Sequence, residues 1–127
     1  MLFNRLFNPD IDIEKEVEVS RFHLTDSTRN GSSLRWIGLL SGKVGLDLCA
    51  NNGVESGEDM IKMILAGASA VEVVSTVYRH GMGQIGVMEK TLTDWMERKG
   101  YNSIDEFKGK LSKVKISNPW AYERTQY

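Results

Sequence analysis

Asp47–Asp59, DLCANNGVESGED, and the later Val71–Gly81, VEVVSTVYRHG, decide how this sequence folds. In each, an apolar strand breaks into a small, polar loop and then enters a helix. Such a turn leaves backbone N–H groups unpaired at the start of the helix and pointing at one spot, which suits a phosphate. Two of these turns side by side are the pattern of the phosphate site that follows the seventh and eighth strands of a (β/α)8 barrel. A whole barrel takes about 250 residues, and this chain has 127. The expected fold is therefore α/β, a portion of a TIM barrel.

Outward from these turns, Val44, Leu46 and Leu48 alternate with Gly45, Asp47 and Cys49, which predicts a strand with two different faces. Glu58–Ala66 is a predicted helix with Ile61, Ile64 and Leu65 on one stripe. Ser56 and Asp59 resemble a capping box with Asp in place of Glu, and Gly67 closes the helix. The second unit is a strand Ala70–Val74 and a helix within Gln84–Arg98, whose stripe is Ile85, Met88, Leu92, Trp95 and Met96. Gly100 ends it. Upstream, Leu2–Phe7 is an apolar stub before the turn signal Asn8-Pro9-Asp10. Ile11–Val19 alternates apolar and charged residues, which suits an exposed two-stranded excursion with Arg21–Leu24. Leu34–Ser41 has helical spacing, with Ser32 or Ser33 as N-cap and Gly42 as stop. Ser103–Lys110 predicts a short last helix and Val114–Tyr127 an irregular tail. Strand-then-helix repetition implies parallel strands joined by right-handed crossovers. The expectation is one partial-barrel domain over residues 1–127, with about three parallel strands and a short β excursion near the N-terminus.

Hydrophobic content of 41%, charged content of 26% and a net charge of −1 are ordinary for a globular protein. No basic field invites nucleic acid or an anionic membrane. Lys108, Lys110, Lys113 and Lys115 form the one basic cluster, read as a solvated tail surface. The single cysteine, Cys49, excludes an internal disulfide, fits a reducing cytoplasm and reads as a small buried residue. No apolar run is long enough to span a membrane, and the N-terminus lacks a signal-peptide pattern. The expected location is cytoplasmic.

Asn51-Asn52-Gly53-Val54 and Val74-Ser75-Thr76 fall at the carboxyl ends of their strands, where parallel α/β folds place their chemistry. Gly53 permits close backbone approach, and Asn51, Asn52, Ser75 and Thr76 add short donors. Either loop alone reads as an ordinary turn; together they read as a cradle. Gly81-Met82-Gly83-Gln84-Ile85-Gly86 fits G-x-G-x-x-G, but the second strand of a dinucleotide fold is not evident after it, and a Gly-rich lead into a helix accounts for it. Asp47 and Glu72 sit on the strand face opposite the larger apolar residues. They could do acid–base work, but pairing with basic residues in a barrel interior is the favoured role. His23 and His80 have no companions at ligand spacing, so no metal site is expected. Arg79 and His80 suit the neighbourhood of an anion and a solvated helix entrance equally well.

At these residues the chain resembles the dihydroorotate dehydrogenase family. Leu2-Phe3-Asn4-Arg5 with Asn8-Pro9-Asp10-Ile11-Asp12 looks like the end of the sixth barrel strand of its "dihydroorotate dehydrogenase-like" branch, and Leu34-Arg35-Trp36-Ile37 like the sixth helix. Asn51-Asn52-Gly53-Val54 and Ser56-Gly57-Glu58-Asp59 stand where the family has its Thr-Gly-Gly-Ile or Thr-Thr-Gly-Val turn. Leu65-Ala66-Gly67-Ala68, Val74-Ser75-Thr76, Gly100-Tyr101, Phe107-Lys108-Gly109 and Pro119-Trp120-Ala121-Tyr122-Glu123-Arg124 continue the likeness. The family is a flavin enzyme on a (β/α)8 barrel that oxidises dihydroorotate to orotate in pyrimidine synthesis. The resemblance thus implies the C-terminal part of the barrel, strands six to eight, with FMN as cofactor and a small-molecule substrate. It implies that Asn51, Asn52, Gly53, Val74 and Ser75 receive the FMN phosphate and that Asn4 faces substrate or flavin. Two positions depart from the family: Asn52 replaces a Gly or Thr, and Val74 a Gly. The upstream strands, the lysine near the flavin and the catalytic Cys or Ser base have no counterpart here, so no catalytic residue is expected in this chain and it is expected to be inactive alone. The competing expectations are a non-enzymatic remnant or assembly subunit, which self-associates or pairs with a missing N-terminal half, and a phosphate site for another ligand.

Overall fold

Asp12 folds the first described segment back on itself. Its carboxylate oxygen Oδ1 accepts the N–H groups of Glu14 and Lys15, each at 3.1 Å, and locks a turn over residues 13–16 in which Glu16 takes a positive φ of 52°. Strand β1 (Asp10–Asp12) consequently pairs antiparallel with β2 (Val17–Val19), in the register Ile11 opposite Glu18. The excursion is thus two-stranded within 10–19; Arg21–His23, of the segment expected to pair with it, lie outside the described residues. The computed structural model describes residues 10–19, 24 and 27–123. The apolar stub Leu2–Phe7 with Asn4, the residues Arg21–His23 and the end of the tail lie outside the described residues.

A 3-10 turn, Ser27–Arg29, leads into α1 (Asn30–Leu40). The helix begins ahead of the expected N-cap: Arg29 takes that position without a side-chain cap, and Ser33 lies inside, fully buried. Ile37 is buried and Leu34 and Leu40 pack beside it, as the spacing predicts. Next comes β3 (Cys49–Ala50), much shorter than the expected strand from Val44. Its partner β4 (Ala70–Val71) is equally short, and the parallel ladder extends only through Leu48 O to Ser69 N, 2.8 Å, and Ala50 O to Glu72 N, 2.8 Å. Without a neighbour beyond that span, Val44 and Leu46 stay exposed.

Between the strands runs α2 (Gly57–Ala66). Ser56 caps it: its Oγ accepts Asp59 N–H at 3.1 Å while Asp59 Oδ2 accepts Ser56 N–H at 3.3 Å, the reciprocal box expected from the sequence. Ile61, Met63, Ile64 and Ala66 are buried. After β4 come α3 (Ser75–His80) and α4 (Gly83–Lys99). α4 crosses the start of α2 closely: a Cβ on Gly57 would lie 2.4 Å from Thr91 Cβ and 2.9 Å from Met88 O, so only glycine fits. Of the expected α4 stripe, Met88 is buried, Leu92, Trp95 and Met96 are half-buried, and Ile85 is exposed.

The segment after α4 closes the ends of the helices. Gly109 and Leu111 N–H bond Ile64 O and Leu65 O at 2.9 and 2.8 Å, and Lys113 N–H bonds Gly38 O at 2.9 Å, so last-turn carbonyls of α2 and α1 gain partners. The expected helix Ser103–Lys110 is a single 3-10 turn, Ile104–Glu106, followed by further turns, and the expected irregular tail contains α5 (Trp120–Glu123). Phe107, 1% exposed, anchors the segment against Trp95 and Tyr101 with ring centroids 5.0 and 5.1 Å away. The lysine cluster is accordingly not all free surface: Lys110 Nζ bonds Tyr101 Oη at 2.8 Å, and Lys113 pairs with Glu123.

Candidate functional site

β3 runs directly into the loop 51–56. Asn52 and Gly53 take consecutive positive φ values of 70° and 81°. Asparagine is among the few side chains that tolerate this region, and the pair Asn-Gly is the usual choice where two successive residues need it. That accounts for Asn52 in backbone terms. Gly53 and Val54 are buried, so the turn folds in toward the core. Among the described residues, the N–H groups of Asn52, Gly53 and Val54 donate to no acceptor. Asn51 is 7% exposed and its Oδ1 has no hydrogen-bond partner. Buried polar atoms are rarely left so.

The second loop differs from the sequence reading. Ser75 and Thr76 belong to the first turn of α3, with Val74 at its N-cap. Thr76 is 1% exposed and its Oγ1 donates to Glu55 O at 2.9 Å. Arg79, on the last turn of α3 and not at a helix entrance, forms an ion pair with the Glu55 carboxylate, which also accepts Ser27 N–H at 3.1 Å. Gln84 Nε2 reaches the same Glu55 carbonyl at 3.4 Å. Glu55 is therefore a clasp that holds the 51–54 turn beside the start of α3. It was not singled out from the sequence, and no local signal marks it, because its partners come from three separate segments. Asp59 steadies the same loop from behind: it is 4% exposed and accepts Asn30 Nδ2 at 2.9 Å and Glu55 N–H at 3.2 Å. Both carboxylates are engaged by donors of the chain, and each has a cation beside it, Arg79 for Glu55 and Lys62, at 3.6 Å, for Asp59, which offsets its repulsion of an anion at the turn.

The structure brings Asn51, Asn52, Gly53, Val74 and Ser75 into one neighbourhood; Asn4 lies outside the described residues. Val74 is 63% exposed, so its branched side chain lies at the surface. His80 is exposed on the last turn of α3. Asp47 and Glu72 flank the short strands and do not lie within them; Asp47 Oδ1 accepts Ser69 Oγ at 2.8 Å. The basic partners expected for them are not found among the described residues. Cys49 is half-buried with a free thiol, and the described residues hold no metal-ligand cluster. No strand follows α4 among the described residues, which removes the dinucleotide reading of Gly81–Gly86. No described helix is long and apolar enough to cross a membrane.

No protein-family model matches the sequence. It is similar to dihydroorotate dehydrogenase (fumarate) of Saccharomyces cerevisiae, 36% identical over 69 residues that make up 54% of this chain and 22% of the yeast protein. The protein of the same name from Trypanosoma cruzi is 42% identical over 62 residues, 49% of this chain and 20% of that one. A probable dihydroorotate dehydrogenase A (fumarate) of Enterococcus faecalis is 32% identical over 72 residues, 57% of this chain and 23% of the relative. The matches thus span roughly a fifth of the relatives' length. In three dimensions the chain is similar to DHODH of Eimeria tenella, solved in complex with ferulenol, with a TM-score of 0.61 and 23% identity over 67% of this chain and 23% of that one. That likeness establishes the fold, an α/β piece with a small parallel sheet and helices.

Proposed function

We propose, from the premise that the chain belongs over this C-terminal-like stretch to the dihydroorotate dehydrogenase family, that it carries the phosphate-binding part of an FMN-dependent oxidoreductase barrel. β3 and β4 take the places of strands seven and eight, and α3 that of the short extra helix that completes barrel phosphate sites. The observation that carries this is the Glu55 clasp, which sets the three unengaged N–H groups of Asn52, Gly53 and Val54 beside the first turn of α3. Backbone donors held in place before the ligand arrives suit a phosphate without costly reorganisation. The residues present fit the group: three successive backbone donors are unengaged, the turn is free of a bulky side chain at Gly53, and the nearby acids are engaged. Bound FMN would supply the hydride acceptor for oxidation of dihydroorotate. The chain's own residues bind and orient the phosphate end, and the Asn51 carbonyl oxygen offers an acceptor to a ligand hydroxyl.

Titration of the purified chain with FMN, riboflavin and inorganic phosphate tests this. Quenching of flavin fluorescence is expected with FMN, at least tenfold weaker binding with riboflavin, competition by phosphate, and loss on Gly53→Val. The chain alone is expected to turn over no dihydroorotate. Riboflavin binding equal to that of FMN would remove the phosphate role; turnover by the isolated chain would remove the partial-site reading.

A further inference from the structure

Glu55 stands one residue past Val54, whose N–H is the last of the three unengaged donors of the turn. Its carboxylate is kept at the junction of the turn and α3 by the Arg79 ion pair. The side chain is 24% exposed, so water screens its charge only in part. The two cations held at the turn are already spent. Arg79 is paired with Glu55, and Lys62 Nζ lies 3.6 Å from Asp59 Oδ1. Glu58, on the first turn of α2, is exposed and adds another negative charge. Arg29, two residues past Ser27, and His80, next to Arg79, are exposed, while Ser27 N–H and Gln84 Nε2 bring neutral donors to Glu55. The paired charges cancel, and the turn is left with backbone dipoles to offer.

We propose that the Glu55–Arg79 pair selects the charge of the phosphate that the turn accepts, favouring one negative charge over two. This rests on the phosphate reading above and adds a ligand class to it. That class is a phosphate monoester that keeps its second proton, which it loses near about pH 6, or a phosphodiester, which has no second proton to lose. The pair acts in two ways. Glu55 repels the second charge, as like charges do where solvent is partly excluded. It also withholds the guanidinium, the group best suited to hold a dianionic phosphate in a bidentate pair. Backbone N–H groups carry partial charges, and three of them suit a single negative charge spread over phosphate oxygens.

The test is FMN titration of the full chain at about pH 5.5 and about pH 8, on either side of the ligand's second proton loss. Riboflavin serves as the ligand without phosphate, and methyl phosphate and dimethyl phosphate as competitors. FMN should bind at least fivefold more weakly at the higher pH, with riboflavin unchanged. Dimethyl phosphate should compete equally at both, and methyl phosphate better at the lower. Glu55→Gln keeps the side chain's size and an acceptor for Ser27 N–H, so circular dichroism should not change. It should tighten FMN at least threefold at the higher pH by releasing Arg79. Arg79→Gln leaves Glu55 uncompensated and should weaken FMN at least threefold there, a result that decides the matter even where Glu55→Gln does not fold. Arg29→Gln and His80→Gln should leave the pH effect in place. Equal FMN affinity at the two pH values, a folded Glu55→Gln that binds FMN no tighter, an Arg79→Gln that binds it as the parent does, or a pH effect lost with Arg29→Gln or His80→Gln would each overturn this inference and leave the phosphate reading standing. Riboflavin bound as tightly as FMN, or no FMN binding at either pH, would remove both.

Discussion

Asp59 is 4% exposed and accepts hydrogen bonds from Asn30 Nδ2 at 2.9 Å, Ser56 Oγ at 3.1 Å, Glu55 N–H at 3.2 Å and Ser56 N–H at 3.3 Å. A sequence reader sees the capping half of this, because Ser56 and Asp59 stand three apart before an apolar run. The bonds to Asn30 and Glu55 are invisible there, since they depend on α1 packing against α2. Replacing Asp59 with Ala would strip a helix cap and leave several buried donors without an acceptor. The expected loss is about 3 kcal/mol of unfolding free energy, measured by urea denaturation. Asp59→Asn retains one acceptor oxygen and should lose less than half as much. An Ala variant within the error of the parent protein would show that water replaces the carboxylate at no cost. The same substitution should weaken the proposed FMN phosphate binding, because the Glu55 clasp rests on this side chain.

At the scale of elements, legibility follows how local the causes are. α2 and α4 are readable because a capping box and a glycine stop are written beside the first and a glycine stop beside the second. α3 is not: Ser75-Thr76 after the strand Ala70–Val74 reads as a loop, and the helix depends on Thr76 finding a carbonyl in a distant loop. Val44–Cys49 erred the other way, since alternation promises a strand but a ladder exists only beside a neighbour. α5 was also hidden, because tertiary contacts hold it. Arg35 Nε donates to Tyr122 O at 2.7 Å, Tyr122 Oη donates to Leu111 O at 2.6 Å, and Glu123 pairs with Lys113. Gly38 leaves room for the Tyr122 ring, since a Cβ there would lie 2.3 Å from it. Lys113 donates to Glu123 and lowers its carboxyl below the ordinary 4.5. A depressed carboxyl contributes stability above its unfolded value, and the contribution disappears as pH falls through the folded one. α5 should therefore loosen below about pH 4.5, while α2 stays folded. Glu123 of the pair is exposed, so solvent screens it and the effect is local and modest. NMR shifts of the Trp120 and Tyr122 amides should follow this titration, and Glu123→Gln should remove it. Shifts unchanged from pH 7 to pH 3 would place the hold on α5 in Arg35 and Gly38 alone.

Across the whole molecule, burial is uneven, and so stability must be. Ile37, Ala50 and Met63 are wholly excluded from water where α1, β3 and α2 meet. Ile11, Ile13 and Val17 of the β1–β2 hairpin are 67%, 80% and 48% exposed. A lone two-stranded hairpin is marginal in water, whereas helix amides over a dry core open only with the global transition. The alternation of Ile11–Val19 signalled an exposed excursion from sequence, because each apolar residue there is flanked by acids that no core would accept. Hydrogen exchange followed by mass spectrometry gives this contrast a number. Amides of Asp10–Val19 should exchange within seconds at pH 7, and those of Ile61–Leu65 about a thousandfold more slowly. Adding urea should accelerate the α2 amides alone, since only their opening exposes the core. Protection of the hairpin equal to that of α2 would mean that Ile11 and Ile13 are covered in solution by a surface from outside this chain.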